Sequence, residues 1–196
     1  MNYTISKPRR NAIILCSLCM ILYILILRLF FFFNGLEEMN SLQVIVLNMT
    51  YIILYGSIML AIFDYFRHYK FKALKISILI MLISEVVLKS RLFSDMFEST
   101  WEKAAFLAVN VTWILSTMTM IAYLFQVKTK ECPGILSIRR YAISILFFYV
   151  LVTTVPLIVK PDSIFSVQQL VETTFVIPYI FAIDFATKIS PLRNKH

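Results

Sequence analysis

The sequence predicts an all-α fold, a polytopic transmembrane helical bundle of six spans with both termini in the cytoplasm. Three observations predict it. Hydrophobic residues make up 60% of the 196-residue chain and charged residues only 15%, against about 45–50% and ~25% in a soluble domain. The apolar residues gather in blocks of roughly twenty, the length that crosses a ~30 Å hydrocarbon core. Lys and Arg concentrate in alternate gaps between the blocks, as the orientation of membrane helices demands.

The first block, Ala12–Phe33, follows Lys7-Pro8-Arg9-Arg10. It is longer than a signal-peptide core and no small-residue cleavage site follows, so it reads as a retained signal anchor. Phe30–Phe33 stand where an interfacial aromatic anchor belongs. Leu42–Phe66 is the second span and ends on a basic loop, Arg67 to Lys75. Leu74–Leu92 is the weakest, because Glu85 and Lys89 interrupt it. Ala104–Val127 is strong, with Trp101 just before it, and the basic segment Lys128 to Arg140 follows. Tyr141–Val159 and Phe165–Lys188 complete the six. Pro156 and Pro178 interrupt these last two and are expected to kink them, since proline removes a helical hydrogen bond. Gln168, Gln169, Glu172 and Asp184 make the sixth span polar. A short or polar apolar stretch also fits a re-entrant or interfacial segment, so the third and sixth blocks rest on charge rather than on hydrophobicity.

With the N-terminus inside and every block crossing, 14 of the 19 basic residues are cytoplasmic. If the third block failed to cross, the basic loop 128–140 would face outward; if the sixth failed, the basic tail would. Glu37, Glu38, Asp95, Glu98, Glu102 and Asp162 then fall outside, which agrees but has little weight in orientation. Short loops make consecutive helices antiparallel neighbours. The whole chain, 1–196, forms one helical domain, and no internal repeat divides it. The expected location is the inner (cytoplasmic) membrane.

Charged groups inside a span are expensive and usually face the bundle interior or pair. Arg28 lies about 24 Å past the start of its block, Glu85 about 15 Å past Lys75, and Glu172 about 10 Å from the outer end of the last block, at ~1.5 Å per residue. These depths bring the three within reach of one intramembrane polar cluster, with Arg28 neutralising one or both carboxylates. In the alternative, Arg28 snorkels outward, Glu85 pairs with Lys89 one turn on, and Glu172 reaches the interface. Asp64, near Arg67 and His68, and Asp184, near Lys188, read as local ion pairs at the inner surface, or as a gate.

Asn48, Asn110, Thr112, Ser116, Thr117 and Thr119 are expected to hydrogen-bond between helices, and those of the fourth span form a polar stripe suited to a buried, oligomer-facing or pore-lining face. Cys16-Ser17-Leu18-Cys19 has the spacing of a redox or metal motif but sits in an apolar helix with no further Cys or His to complete a zinc set, so small-residue packing is the expected role. The third cysteine, Cys132, lies in a basic loop, and three cysteines build no disulfide framework. No Ser/His/Asp set, metal spacing or phosphate loop is present in the sequence. Cofactors and enzymatic chemistry are therefore not expected.

Two function classes remain. One is a sensing or anchoring subunit. Its net charge is +8, and Arg67, Lys70, Lys72, Lys128, Lys130, Arg139 and Arg140 offer an inner face to anionic lipid or an acidic cytosolic protein. Nucleic acid is not directly indicated, and a homo-oligomer is expected. The other is a small-solute transporter or channel component; the scarcity of glycine, with Gly35, Gly56 and Gly134 the complete set, speaks against mid-membrane helix breaks. In composition, a glycine-poor, Ile/Phe/Lys-rich polytopic chain with a basic inner face, the sequence resembles the membrane subunits of bacterial phage-defence systems of the Kiwa type. That resemblance extends over the chain as composition, with no motif residues to carry over. It implies an oligomeric membrane sensor that recruits a cytosolic effector.

Overall fold

The computed structural model describes residues 4–34, 41–89, 100–129, 132–158 and 171–191. It is helical throughout these segments apart from turns and one two-residue β contact. Helices α1 (Lys7–Asn34), α2 (Ser41–His68), α3 (Lys72–Lys89), α4 (Thr100–Gln126), α5 (Ile135–Ile158) and α6 (Val176–Lys188) follow in order. Four are long and apolar enough to cross a membrane, over Lys7–Phe31, Leu42–His68, Lys103–Gln126 and Ile135–Val152. The chain is accordingly a membrane protein by the length and composition of its helices. Helices α3 and α6 fall outside that set. The first packs four charged side chains into 18 residues, and the second has 13 residues.

The chain divides into two compact units, residues 40–127 and residues 1–39 with 128–196. In the unit of residues 40–127, α3 packs against both α2 and α4. The α2–α3 turn is built from backbone alone. Phe71 N–H donates to the Phe66 carbonyl at 3.0 Å and Lys70 N–H to the Arg67 carbonyl at 3.2 Å, the paired bonds of a Schellman cap. Lys70 holds the left-handed position at φ 60, where glycine is usual. The Phe66 and Phe71 rings, with centroids 6.3 Å apart, supply the apolar contact that accompanies this cap. Tyr65, Tyr69 and His68 extend the ring cluster across the turn. So short a turn makes α2 and α3 an antiparallel hairpin. Gly56 sits where Leu82 of α3 comes closest, a Cβ there lying 3.9 Å from the Leu82 side chain.

In the other unit, α6 packs against both α1 and α5. Ring pairs Tyr141–Tyr179 at 6.3 Å and Phe148–Phe175 at 5.9 Å fix α5 and α6 as antiparallel. The chain enters α5 through Cys132-Pro133-Gly134-Ile135, closed by Ile135 N–H on the Cys132 carbonyl at 3.2 Å. Gly134 has φ 86, so this is a type II turn with Pro and Gly in the two central places that suit them. Thr4–Ile5 (β1) pairs in parallel with Ser190–Pro191 (β2), so the segment that leads into α1 lies beside the segment that leaves α6.

The sixth predicted span is interrupted. Residues 171–173 are helical, 174–175 form a turn, and α6 starts at Val176. Pro178 has no N–H to give the Thr174 carbonyl, which takes Ile177 N–H at 3.0 Å instead, tightening the backbone. Helix α5, by contrast, continues through Pro156. Most of the predicted outer loops, Lys130, the start of the sixth span and the end of the C-terminal basic tail lie outside the described residues.

Candidate functional site

Of the charges that the sequence places at membrane depth, Arg28 and Glu172 belong to one unit and Glu85 to the other. In the unit holding α1, Arg28 Nη1 forms an ion pair with Glu172 Oε2. The two side chains are 22% and 14% exposed. The Arg28 guanidinium also lies 5.6 Å from the Phe31 ring centroid, a cation–π contact on the same helix. Glu172 stands on the last turn before the break at Thr174 and Phe175, so the pair ties α1 to the polar end of the interruption.

Glu85 belongs to the other unit, and its partners there are Tyr51 and Lys89. It is buried, with 8% exposure. The Tyr51 hydroxyl of α2 donates to its carboxyl, and Lys89, one turn further along α3, acts on it by charge. The Lys89 ammonium lies 5.1 Å from the Tyr51 ring centroid, so phenol, carboxyl and amine converge on one place. Ser77 and Ser84 of α3 and Ser116 and Thr117 of α4 are buried in the same unit.

Tyr51 was not singled out by its own sequence context. Its signal is the position of the turn. Tyr51 and Lys89 stand equally far from Lys70 along an antiparallel hairpin, as do Tyr55 and Glu85. Counting outward from the Schellman cap pairs the phenols of α2 with the charges of α3.

At the start of α5 and the end of α6, Asp184 accepts from Ser137 Oγ at 2.5 Å and from Lys188 at 2.7 Å. Lys188 also donates to Ser137 Oγ at 3.3 Å. Ser137 therefore joins α5 to an ion pair that the sequence places on α6 alone. Asp64 is half-buried on α2.

Most hydroxyls and the amide of the fourth predicted span turn back on their own helix. Asn110, Thr112, Thr117 and Thr119 donate to the carbonyls of Phe106, Ala108, Trp113 and Leu115, at 2.7–2.9 Å. The carbonyl four residues back is always within reach in a helix, so such side chains need no neighbour. Thr112 and Thr119 are exposed while Ser116 and Thr117 are buried, which splits the polar stripe between two faces. Thr50 does the same on α2, donating to Val46 at 2.8 Å.

The basic residues of the predicted inner face lie at helix ends. Arg67, Lys70 and Lys72 are exposed on the α2–α3 turn, Lys128 and Arg140 are exposed, and Arg139 is half-buried. Cys16 and Cys19 are half-buried on α1, and Cys132 is buried in the turn before α5. Among the described residues no three His, Cys, Asp or Glu side chains come together as metal ligands would. Trp101, 85% exposed at the first turn of α4, has the exposure of an interfacial anchor.

No known family, no curated protein and no solved structure matches this chain.

Proposed function

We propose that the chain is a non-enzymatic integral membrane subunit, of six spans with both ends in the cytoplasm, that oligomerises and recruits an acidic cytosolic protein through its basic inner face. The observation that carries this reading is the division of labour among the charges. At membrane depth, Arg28 is matched with Glu172, and Glu85 with Lys89 and Tyr51. At the helix ends, Arg67, Lys70, Lys72 and Arg140 stay exposed, available to anionic lipid and to a partner.

Three further features support six crossings. Helix α3 spans about 27 Å at 1.5 Å per residue, and its Glu85 and Lys89 side chains both meet Tyr51. The three-residue turn after α2 returns the chain on itself. The contact between Thr4–Ile5 and Ser190–Pro191 sets the segment before α1 beside the segment after α6, which agrees with an even number of crossings. The positive-inside rule puts the basic loops on the cytoplasmic side, and the membrane proposed is the inner (cytoplasmic) one. The compositional resemblance to Kiwa-type membrane subunits is what supports a role in phage defence.

One observation favours a second reading, a small-solute transporter component. The break at Thr174 and Phe175 beside the Arg28–Glu172 pair has the form of a discontinuous helix at a solute site. In this chain, however, the two charges there occupy each other.

Reporter fusions test the topology. Fusions after Lys130 and after His196 are both expected to read cytoplasmic. An external reading at either position contradicts six crossings and removes the continuous basic inner face on which recruitment depends.

A further inference from the structure

A carboxyl buried inside a membrane protein is a functional-site candidate, because its burial is expensive. Glu85 is the most buried acid among the described side chains of α2, α3 and α4. We propose that Glu85, Tyr51 and Lys89 form a proton-binding site within this three-helix unit, with Glu85 as the group that takes up and releases the proton. This site goes beyond partner recruitment, and neither depends on the other.

The surroundings of Glu85 define two states. In one, the carboxylate accepts from the Tyr51 hydroxyl and faces the Lys89 ammonium. In the other, a proton from solution forms an O–H bond on the carboxyl and no other bond is broken. The site then holds one more positive charge. Lys89 loses its counter-charge but keeps the face of the Tyr51 ring, and its four-carbon stem can carry the ammonium toward the nearer end of α3. Proton binding is thereby coupled to the position of a lysine at the end of the helix.

Other groups around the site are few. From α2 come Tyr51 and, stacked on it at 5.7 Å, Tyr55. From α3 comes Lys89. Helix α4 carries Lys103, exposed on its first turn, and Tyr123, exposed near its end; its buried polar side chains, Ser116 and Thr117, are uncharged. The Glu102 side chain lies outside the described residues. Burial of the carboxyl comes first among the influences on the proton; Lys89 and Tyr51 act against it, the ammonium by charge and the hydroxyl by donating to the ionised form.

The test uses dicyclohexylcarbodiimide on the full-length protein in detergent. This apolar reagent takes a protonated carboxyl out of an apolar environment. The acid adds across one C=N bond to give an O-acylisourea, whose acyl group then shifts to nitrogen as a stable N-acylurea, with no leaving group. Peptide mass spectrometry reads the modified fraction at each carboxyl from about pH 5 to about pH 9, above the range in which an exposed carboxyl is protonated. Glu85 is expected to be modified, and its modification to fall as pH rises. Lys89→Met removes the charge that favours the carboxylate, so the profile is expected to move upward by about one pH unit, a tenfold gain in proton affinity. Tyr51→Phe is expected to move it in the same direction and stands in if Lys89→Met fails to elute as a folded species. No modification of Glu85 at any pH in folded protein overturns the proposal. So does a profile that the folded variant leaves in place.

Discussion

Glu172→Gln is expected to lower the thermal midpoint of the detergent-solubilised protein by roughly 6–12 °C. Removing one partner of this partly buried ion pair leaves the other charge unmatched, at about 3 kcal/mol, the low end for a buried pair, and each kcal/mol moves a chain of this size by ~2–4 °C. Arg28→Met is expected to cost a similar amount by stranding Glu172. The double change Arg28→Met with Glu172→Leu is expected to cost less than either single one, because it leaves no charge to desolvate. That non-additivity separates an ion pair from two unrelated positions. Asp64→Asn, at a half-buried position near the helix end, is the comparison expected to stay near wild type. Singles that match wild type, or a double that equals their sum, would refute the tie between α1 and the turn before α6.

Two glycines are expected to respond to alanine with opposite signs. At Gly134 a Cβ would stand 3.0 Å from a ring carbon of Phe185, and Phe185 is 1% exposed, with no room to withdraw. The backbone there is also left-handed, at φ 86, which costs an L-residue about 1–2 kcal/mol. Adding the overpacking term, Gly134→Ala is expected to destabilise by about 2–4 kcal/mol. At Gly56 the new methyl meets only Leu82 at an ordinary 3.9 Å within a helix. Gly56→Ala is therefore expected to stabilise by up to about 1 kcal/mol, the helix-propensity difference. Thermal midpoints of the two variants, measured side by side, decide both. Equal shifts would mean that neither the type II turn before α5 nor the α2–α3 contact is as described.

The helices were legible in the sequence because their signal is local. Twenty apolar residues between polar gaps announce a helix, and five of the six predicted blocks end within one to six residues of α1 to α5. The sixth departs from its prediction because Pro178 breaks the hydrogen-bond ladder at Thr174 instead of bending it, an outcome that turns on which nearby donor can replace the missing one. The cap at Lys70 was hidden because its usual marker, glycine, is absent; with the cap placed, the register of α2 against α3 and the role of Tyr51 follow by counting. The Arg28–Glu172 pair joins residues far apart in the chain, and depth arguments alone place Glu85 equally close. Only the packing of α1 with α6, and of α3 with α2 and α4, assigns each charge its partner. For Thr112 and Thr119 the sequence suggested bonds to neighbouring helices, whereas the helix's own carbonyls are nearer and need no second helix to be in place.

The central claim is that this protein works by assembly and recruitment. It is tested most directly by isolating the intact protein from its host in mild detergent and measuring the native mass of what comes with it. The account predicts a defined homo-oligomer carrying an acidic cytosolic protein. That protein should be released as salt rises, since exposed charges are screened within about 8 Å at physiological ionic strength, and it should be lost on charge reversal at Arg139 and Arg140 in variants whose topology fusions still read cytoplasmic. A monodisperse monomer with no bound protein, at low salt as at high, would contradict it.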